Sequence, residues 1–188
     1  MIMDARNVAY IPSSPIFFDA NIWLSLYPPP SGGNDTWAND YSSILKRIID
    51  NNVPILMDAT VLGEYINRYC RIEFKAYEDF VNPNSQRTFK EFRTQDFVTY
   101  RPIAKDAASR VIEMFEIPGI TRINGDFSSV DLQAMLNQFA QGNSDWNDQQ
   151  IVDICQRHSC SLLTNDADFK DADIQILTCN HRLLGHVR

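Results

Sequence analysis

The stretch from Trp146 to Phe169 limits what this chain can fold into more than any other part of the sequence. Its first half has the i, i+3, i+4, i+7 spacing of one helix face, on Ile151, Ile154, Cys155 and His158. Residues Ser161 to Thr164 then form a short apolar run with the length of a buried strand in a parallel sheet. Asp166 and Asp168 follow directly, so the pattern predicts a helix, a tight turn and a strand that ends in carboxylates.

These carboxylates are expected to meet a further acid at the start of the same helix. A strand that runs back beside the helix brings its end toward the helix start, so Asp148 and Asp166 can meet. Two neighbouring carboxylates raise each other's pKa unless a cation neutralises them. Because open α/β sheets place their sites at the carboxyl ends of their strands, the stretch predicts a metal site.

Further short apolar runs predict the other strands of a sheet. Ile16–Phe18 ends in Asp19, and Pro54–Met57 ends in Asp58, which we interpret as the N-cap of a helix that begins at Ala59. Two more strand candidates are Ile120–Ile123 and Ile174–Leu177. Strands alternating with helices predict an α/β fold, a three-layer α/β/α sandwich with a central parallel sheet.

Helical spacing and breaking residues predict the helices between these strands. They are Asn21–Tyr27, Tyr41–Ile49, a helix from Ala59 with Val61, Leu62, Tyr65, Ile66 and Tyr69 on its apolar side, Ile103–Phe115, and Ser128–Phe139 with Ser128 or Ser129 as its cap. Residues 74–98 are predicted as helix, break and helix, with the break at 82–85, and residues 31–35 and 141–144 as loops. At 188 residues the chain is expected to form a single domain, 1–188, with a longer helical insertion around 70–100.

The charge of the chain is unevenly distributed. The net charge of −7 argues against a generally basic nucleic-acid-binding protein. Between Arg68 and Arg110, however, nine Lys and Arg stand against six Asp and Glu. A basic segment beside an acidic site suits a metal-dependent enzyme that acts on a polyanion, although a solvated helical surface explains the same charges.

The cysteines and histidines favour no metal site of their own. No CxxC pair occurs, and reduced, buried thiols are expected at Cys70, Cys155, Cys160 and Cys179. No zinc-binding spacing occurs at His158, His181 and His186. The sequence has neither a membrane-length apolar run nor a signal-peptide pattern, so we expect a cytoplasmic protein without a membrane partner.

Four acids from separate predicted elements are the candidates for a single site: Asp19, Glu64, Asp148 and Asp166. Oxygen donors of this kind suit Mg²⁺ or Mn²⁺ better than zinc. Two such ions about 3.5–4 Å apart can share four carboxylates and support in-line hydrolysis of a phosphodiester bond without a protein nucleophile.

Each acid also has an ordinary structural interpretation, which the residues alone leave open. Asp19 can cap the helix after its strand, and Asp148 can be the N-cap of its own helix. Glu64 can pair with Arg68 at i+4. The acids that follow Ser161–Thr164 can form an Asx-rich turn.

Four short motifs together resemble those of the PIN-domain ribonucleases, and of VapC-like toxins in particular. They are Phe18-Asp19-Ala20-Asn21, Leu62-Gly63-Glu64, Asn147-Asp148-x-x-Ile151 and Leu162-Leu163-Thr164-Asn165-Asp166-x-Asp168-Phe169. The motifs occur in the order that the family has, and the interval from Asp148 to Asp166 is similar as well.

This resemblance implies a PIN-like fold and an endoribonuclease that depends on Mg²⁺ or Mn²⁺. It assigns catalytic and metal-binding roles to Asp19, Glu64, Asp148 and Asp166, a further metal-ligand role to Asp168, and supporting roles to Asn21 and Thr164. Many small members of the family are toxins of bacterial toxin–antitoxin pairs, so the resemblance suggests an RNA substrate, an antitoxin protein and a homodimer as partners. The chain is longer than such toxins, and the extra length lies around residues 70–100.

The basic, aromatic part of the chain offers a candidate path for single-stranded RNA. Its members are Arg68, Arg71, Lys75, Arg87, Lys90 and Arg93, interleaved with Tyr69, Phe74, Tyr77, Phe89 and Phe92. The same rings are also expected in a core. Two rival functions share the acids: a non-catalytic PIN-like module that binds RNA or a protein, and a nuclease directed at DNA.

Overall fold

A computed structural model describes residues 1–9, 13–32, 36–81, 83–125, 127–142 and 145–185. Parts of three predicted loops, at 33–35, at Asn82 and at 143–144, lie outside the described residues, as does His186.

The described residues contain a sheet of six parallel strands in the order β1-β6-β5-β2-β3-β4. The strands are β1 (Ile2–Asp4), β2 (Ile16–Phe18), β3 (Ile55–Met57), β4 (Ile120–Arg122), β5 (Ser161–Leu163) and β6 (Ile176–Thr178). All residues of β2, β3, β5 and β6 are buried, which requires helices on both faces of the sheet. The predicted three-layer α/β fold with a parallel sheet is therefore confirmed.

Helices and two short 3₁₀ turns connect the strands. The α-helices are α1 (Ala20–Leu26), α2 (Ala38–Asp50), α3 (Ala59–Val81), α4 (Phe89–Gln95), α5 (Phe97–Phe115), α6 (Leu132–Ala140), α7 (Trp146–Arg157) and α8 (His181–Leu184), and the 3₁₀ turns are Phe127–Ser129 and Ala167–Asp171. The predicted cap of α3 is confirmed, because Asp58 Oδ1 accepts a hydrogen bond from the Val61 N–H at 2.9 Å. None of the described helices is long and apolar enough to cross a bilayer.

Several helix starts differ from the predictions, and α2 begins at Ala38 rather than Tyr41. Helix α5 begins at Phe97 rather than Ile103, because Asp96 caps it through the Thr99 N–H and the helix continues through Pro102. Helix α6 begins at Leu132, where Asp131 accepts from the Ala134 N–H at 3.0 Å. The predicted caps of α6, Ser128 and Ser129, instead lie in a 3₁₀ turn.

Two short elements, β1 and α8, were not predicted. Both carry few residues, and β1 is only partly buried at the edge of the sheet, so neither leaves a clear hydrophobic period. On α3 the predicted apolar residue Ile66 is 36% exposed, since the buried side of that helix turns toward Tyr65, Tyr69 and Cys70. All four cysteines are free and buried, as predicted.

A cluster of rings, which we call the aromatic cluster, joins α3, α4 and α5. Its members are Phe74, Tyr77, Phe89, Phe92 and Tyr100, with ring centroids 5.0–6.2 Å apart. Phe92 is completely buried at its centre. A capping box between Thr88 and Glu91 stabilises the start of α4. These rings pack mainly against one another, so the core interpretation of the aromatic residues is the better one.

Candidate functional site

The strand order places the two best-supported motifs side by side. Strands β2 and β5 are neighbours, and Phe18 at the end of β2 pairs with Leu163 at the end of β5. The residues that follow, Asp19 and Thr164, therefore leave the sheet together at its carboxyl edge. This is the edge at which parallel α/β sheets hold their sites.

Asp19 is held at this edge by side chains from both motifs. The Thr164 hydroxyl donates to Asp19 Oδ2 at 2.6 Å, and the Asn21 amide donates to the same oxygen. Both Asp19 and Thr164 are buried. Asp19 stands at the N-cap position of α1 but makes no capping side-chain hydrogen bond, so helix capping does not account for its carboxylate.

Thr164 and Asn21 extend the network into the segment after β5. The Asn21 amide also donates to Thr164 Oγ1 at 3.1 Å, and the Asp166 N–H donates to that hydroxyl at 2.9 Å. The Asn165 N–H donates to Asn21 Oδ1 at 3.1 Å. These bonds fix the path of the backbone from Thr164 to Asp166 relative to Asp19. The structure thus brings Asn21 and Thr164 to the positions that the motifs indicated for supporting residues.

A second layer of polar contacts supports Asn165 and was not anticipated from the sequence. The hydroxyl of the buried Tyr41 donates to Asn165 Oδ1 and accepts from the Cys179 N–H at 3.1 Å. The Asn180 amide donates to the Asn165 carbonyl at 2.6 Å. Tyr41 and Asn180 lie far from Asn165 in the sequence, and only the adjacency of β5 and β6 brings these residues together.

Glu64 approaches the site from α3 with a cationic partner. Its carboxylate pairs with Arg68 at 2.9 Å, so the salt-bridge interpretation of Glu64 is confirmed. Burial raises the pKa of Glu64, the charge of Arg68 opposes this, and the charges of Asp19 and the neighbouring acids raise it further. Glu64 therefore has both its structural partner and an electrostatic connection to Asp19.

Asp148 lies in the first turn of α7, three residues after the N-cap, so it does not have the alternative role of N-cap. The N-cap of α7 is Asp145, whose Oδ1 accepts from the Asp148 N–H at 2.9 Å. Burial raises the pKa of Asp148 to about 7, helped by the charges of Asp145, Asp166, Asp19 and Asp168. The charge of Asp166 thus contributes to the raised pKa of Asp148, and the meeting of the two carboxylates stays a prediction.

The pKa of Asp19 is raised as well, chiefly by burial. The hydrogen bond from Thr164 and the charge of Arg68 lower it, and the charge of Asp166 raises it. Asp166 forms the anticipated Asx turn, since its Oδ1 accepts from the Asp168 N–H at 3.0 Å. Asp168 is exposed.

Six acids therefore share one electrostatic environment, which we call the acidic edge: Asp19, Glu64, Asp145, Asp148, Asp166 and Asp168. Asp145 was missed by the sequence reasoning. Its position directly before Trp146 could have identified it, because an N-cap residue directly precedes the first turn of a helix. Asp153, on the same helix, instead pairs with Arg157 at i+4.

The acidic edge fits a hard divalent cation in the chemistry of its donors. Carboxylate oxygens are the ligands that Mg²⁺ and Mn²⁺ prefer, and a nearby cation would relieve the repulsion that raises the pKa of Asp148. Across the described ranges, however, no three His, Cys, Asp or Glu side chains converge closely enough to hold a metal ion. The carboxylates thus affect one another's pKa values without converging as metal ligands would, and the Glu64 carboxylate forms an ion pair with Arg68.

Comparisons with known proteins support the fold. No model of a protein family matches the sequence, and no curated protein matches it either. Among solved structures, the crystal structure of VapBC2 from Rickettsia felis bound to a DNA fragment from their promoter contains a similar chain, with a TM-score of 0.52 and 15% sequence identity. The match covers 86% of this chain and 96% of that chain. At this identity the likeness concerns the fold alone.

Proposed function

We propose that this chain is an endoribonuclease that hydrolyses RNA phosphodiester bonds with the help of Mg²⁺ or Mn²⁺. The observation that carries the proposal is that acids from four separate elements act on one another at the carboxyl edge of the sheet, where burial and then their mutual charge raise the pKa of Asp148 to about 7. Acids that only stabilise the fold are expected to be paired with cations. Here several acids act on one another, and Arg68 is the cation that acts on Glu64 and Asp19. Interacting carboxylates with raised pKa values at the carboxyl edge of a sheet are typical of a functional site.

The residues that would hold the metal are Asp19, Glu64, Asp148 and Asp166, with Asp168 as a further ligand. A bound divalent ion would supply Lewis-acid activation of water and neutralise charge at the phosphate. Thr164 and Asn21 keep the Asp19 carboxylate oriented by donating to Oδ2. Arg68 pairs with Glu64 at 2.9 Å, so Glu64 would have to leave this ion pair in order to bind a metal ion.

We further propose that the chain is the toxin of a toxin–antitoxin pair, acts in the cytoplasm, and assembles as a homodimer. The support is the fold shared with a chain of the VapBC2 structure, together with the VapC-like motifs in this sequence. The partner would be a small antitoxin protein. Co-purification of this chain with the product of an adjacent gene tests the pairing directly.

A second candidate function has an observation in its favour. Glu64 is engaged by Arg68 at 2.9 Å, and the described acids do not converge as metal ligands. A non-catalytic PIN-like module that binds RNA or a protein would have these features. Such a module binds RNA in Mn²⁺ without turnover, so a cleavage assay separates it from the nuclease.

The test is cleavage of a panel of RNAs, with matched DNAs beside them, in Mg²⁺ or Mn²⁺ by the wild type, Asp19→Asn and Asp148→Asn. Asp153→Asn is the matched control, because it makes the same change on α7 at a residue paired with Arg157. We expect the two site variants to lose at least about 100-fold in rate, and the control to keep its rate. Retained metal-dependent cleavage in both site variants would refute the site, and preferred cleavage of the DNAs would favour the DNA-directed alternative.

A further inference from the structure

One face of α3 carries three cations in line with Glu64. Arg68, Arg71 and Lys75 follow Glu64 at i+4, i+7 and i+11, and all three are exposed. At about 100° per residue, their side chains leave the helix within about 40° of the direction of Glu64. The row begins at the acidic edge, because Arg68 pairs with Glu64 and lowers the pKa of Asp19.

Among the described residues no carboxylate pairs with Arg71, which lies 4.9 Å from the ring centroid of Phe89, whereas two carboxylates pair with Arg87. Arg87 donates to Glu78 through Nε at 2.9 Å, pairs with Asp96 at 3.2 Å, and lies 4.9 Å from the ring centroid of Phe92. Its charge is therefore engaged within the fold. Lys90 belongs to α4 rather than to this face of α3.

A concave surface lies beside α3, and the residue of this helix that lines it is Ile72, the neighbour of Arg71 in the sequence. A recess of about 250 Å³ lies between α1, the segment that follows it, and α3, and its lining includes Asn21, Ser25, Pro29 and Ile72. Asn21, in the lining of the recess, also donates to Asp19, so this residue connects the recess with the acidic edge. A hydrogen bond connects two sides of the recess, because Glu73 of α3 accepts from the Ser31 N–H in the segment after α1 at 2.7 Å.

We propose that a single-stranded nucleic acid leaves the acidic edge along this face of α3, with its phosphates against Arg68, Arg71 and Lys75. Arg68 and Lys75 are seven residues apart, which is about 10 Å along the helix, so the row can contact successive phosphates of one strand. Cationic grooves of this kind hold single strands through the backbone. The inference rests on the proposed function, since it describes how the same site holds its substrate.

The test is the salt dependence of binding, which needs no turnover. Fluorescein-labelled 12-nucleotide oligouridylate and oligothymidylate are titrated by anisotropy in EDTA between 50 and 400 mM KCl. The variant is Arg71→Gln with Lys75→Gln. The matched control, Lys46→Gln with Lys105→Gln, removes the same charge from exposed positions on α2 and α5. Because each phosphate contact with a single strand contributes about 0.7 to the slope of log K against log salt, the variant is expected to lose about 1.4 from the slope with both oligomers.

An unchanged slope in the Arg71 and Lys75 variant, or an equal loss in the control, would overturn the inference while leaving the cleavage proposal to its own assay. A change confined to oligouridylate would also overturn it, since phosphates are common to both strands. Conversely, the expected loss of slope in a protein that cleaves no RNA would support the binding face and refute the nuclease.

Discussion

The acidic edge and the aromatic cluster lie at opposite ends of the same helix, α3. Charged side chains are paired with opposite charges at the aromatic cluster, whereas like charges interact at the acidic edge. At the aromatic cluster, Arg87 lies between Glu78 and Asp96 and stacks on the ring of Phe92. At the acidic edge, carboxylates from four elements act on one another, and Arg68 is the cation that opposes them.

The pKa values of the acids follow this difference. A hydrogen bond from Ser85 and the neighbouring Arg87 lower the pKa of Glu78, and a hydrogen bond from Thr99 and Arg87 lower the pKa of Asp96. Burial and like charges raise the pKa of Asp148 to about 7. The contrast teaches that paired charge in the aromatic cluster supports the fold, whereas repulsion among the acids of the acidic edge opposes it, which agrees with the proposed metal site.

The largest expected effect on stability comes from the aromatic cluster. Phe92→Ala removes a completely buried ring in contact with Phe74, Tyr77 and Tyr100. We expect a loss of about 3–5 kcal/mol in the free energy of unfolding, measured by urea denaturation. The rate of RNA cleavage by the folded fraction should not change. A loss of cleavage without a loss of stability would mean that the two regions are not separate.

The next largest effect is expected on the rate of cleavage rather than on stability, and it concerns the acidic edge. Thr164→Val removes the hydroxyl that donates to Asp19 and accepts from the Asp166 N–H. We expect cleavage to fall by about 10–100-fold. Ser161→Ala is the matched control, because Ser161 is also fully buried in β5 and its hydroxyl donates to Gln175 Oε1 at 2.7 Å, at the end of the strand away from Asp19. Equal losses of activity in the two variants would assign Thr164 to the fold alone.

A smaller effect concerns the pH dependence of stability without metal. Because the pKa of Asp148 is higher in the folded state, its contribution to stability is present below about pH 4 and is lost as the pH rises to about 7. Asp148→Asn should remove this loss and stabilise the protein at pH 7.5 by about 1–2 kcal/mol, allowing for solvent screening of a half-buried group. Urea unfolding in EDTA from pH 4.5 to 8 measures the change. A variant that is less stable than the wild type at pH 7.5 would contradict the repulsion.

The smallest expected effect has the opposite sign of pH dependence. The lowered pKa values of Glu78 and Asp96 mean that their contribution is present at neutral pH and lost as the medium becomes acidic, below about pH 4.5. Arg87→Gln should weaken this acid-side loss and leave the neutral-to-alkaline slope unchanged. Thermal unfolding between pH 3 and 7 provides the comparison. A change of slope near pH 7 would connect Arg87 to the acidic edge.

The sequence contained enough to predict the central sheet and most of its edge. Short apolar runs that end in Asp19 and Asp166 gave the inner strands, because a fully buried strand leaves a continuous apolar signal. The sequence could not predict that Tyr41 and Asn180 hydrogen-bond to Asn165, because these contacts depend on the order of the strands. Asp145 was missed because a cap and a first-turn acid three residues later look alike in sequence.

The start of α5 shows a different limit. The predicted start of this helix was Ile103, whereas the helix in the structure begins at Phe97 and contains Pro102, a residue that usually disrupts a helix interior. In the structure, the Asp96 cap and the packing of α5 against α3 outweigh the one backbone hydrogen bond that Pro102 cannot donate.

The most direct test of the account is calorimetric titration of Mn²⁺ into the wild type, Asp148→Asn and Asp153→Asn at pH 7.5. If the acidic edge is a cation site, the wild type and Asp153→Asn bind Mn²⁺ saturably and Asp148→Asn binds at least about 10-fold more weakly. Equal binding of Mn²⁺ by all three proteins, or binding by none, would contradict the claim that the acids of this edge are kept together to hold a metal ion.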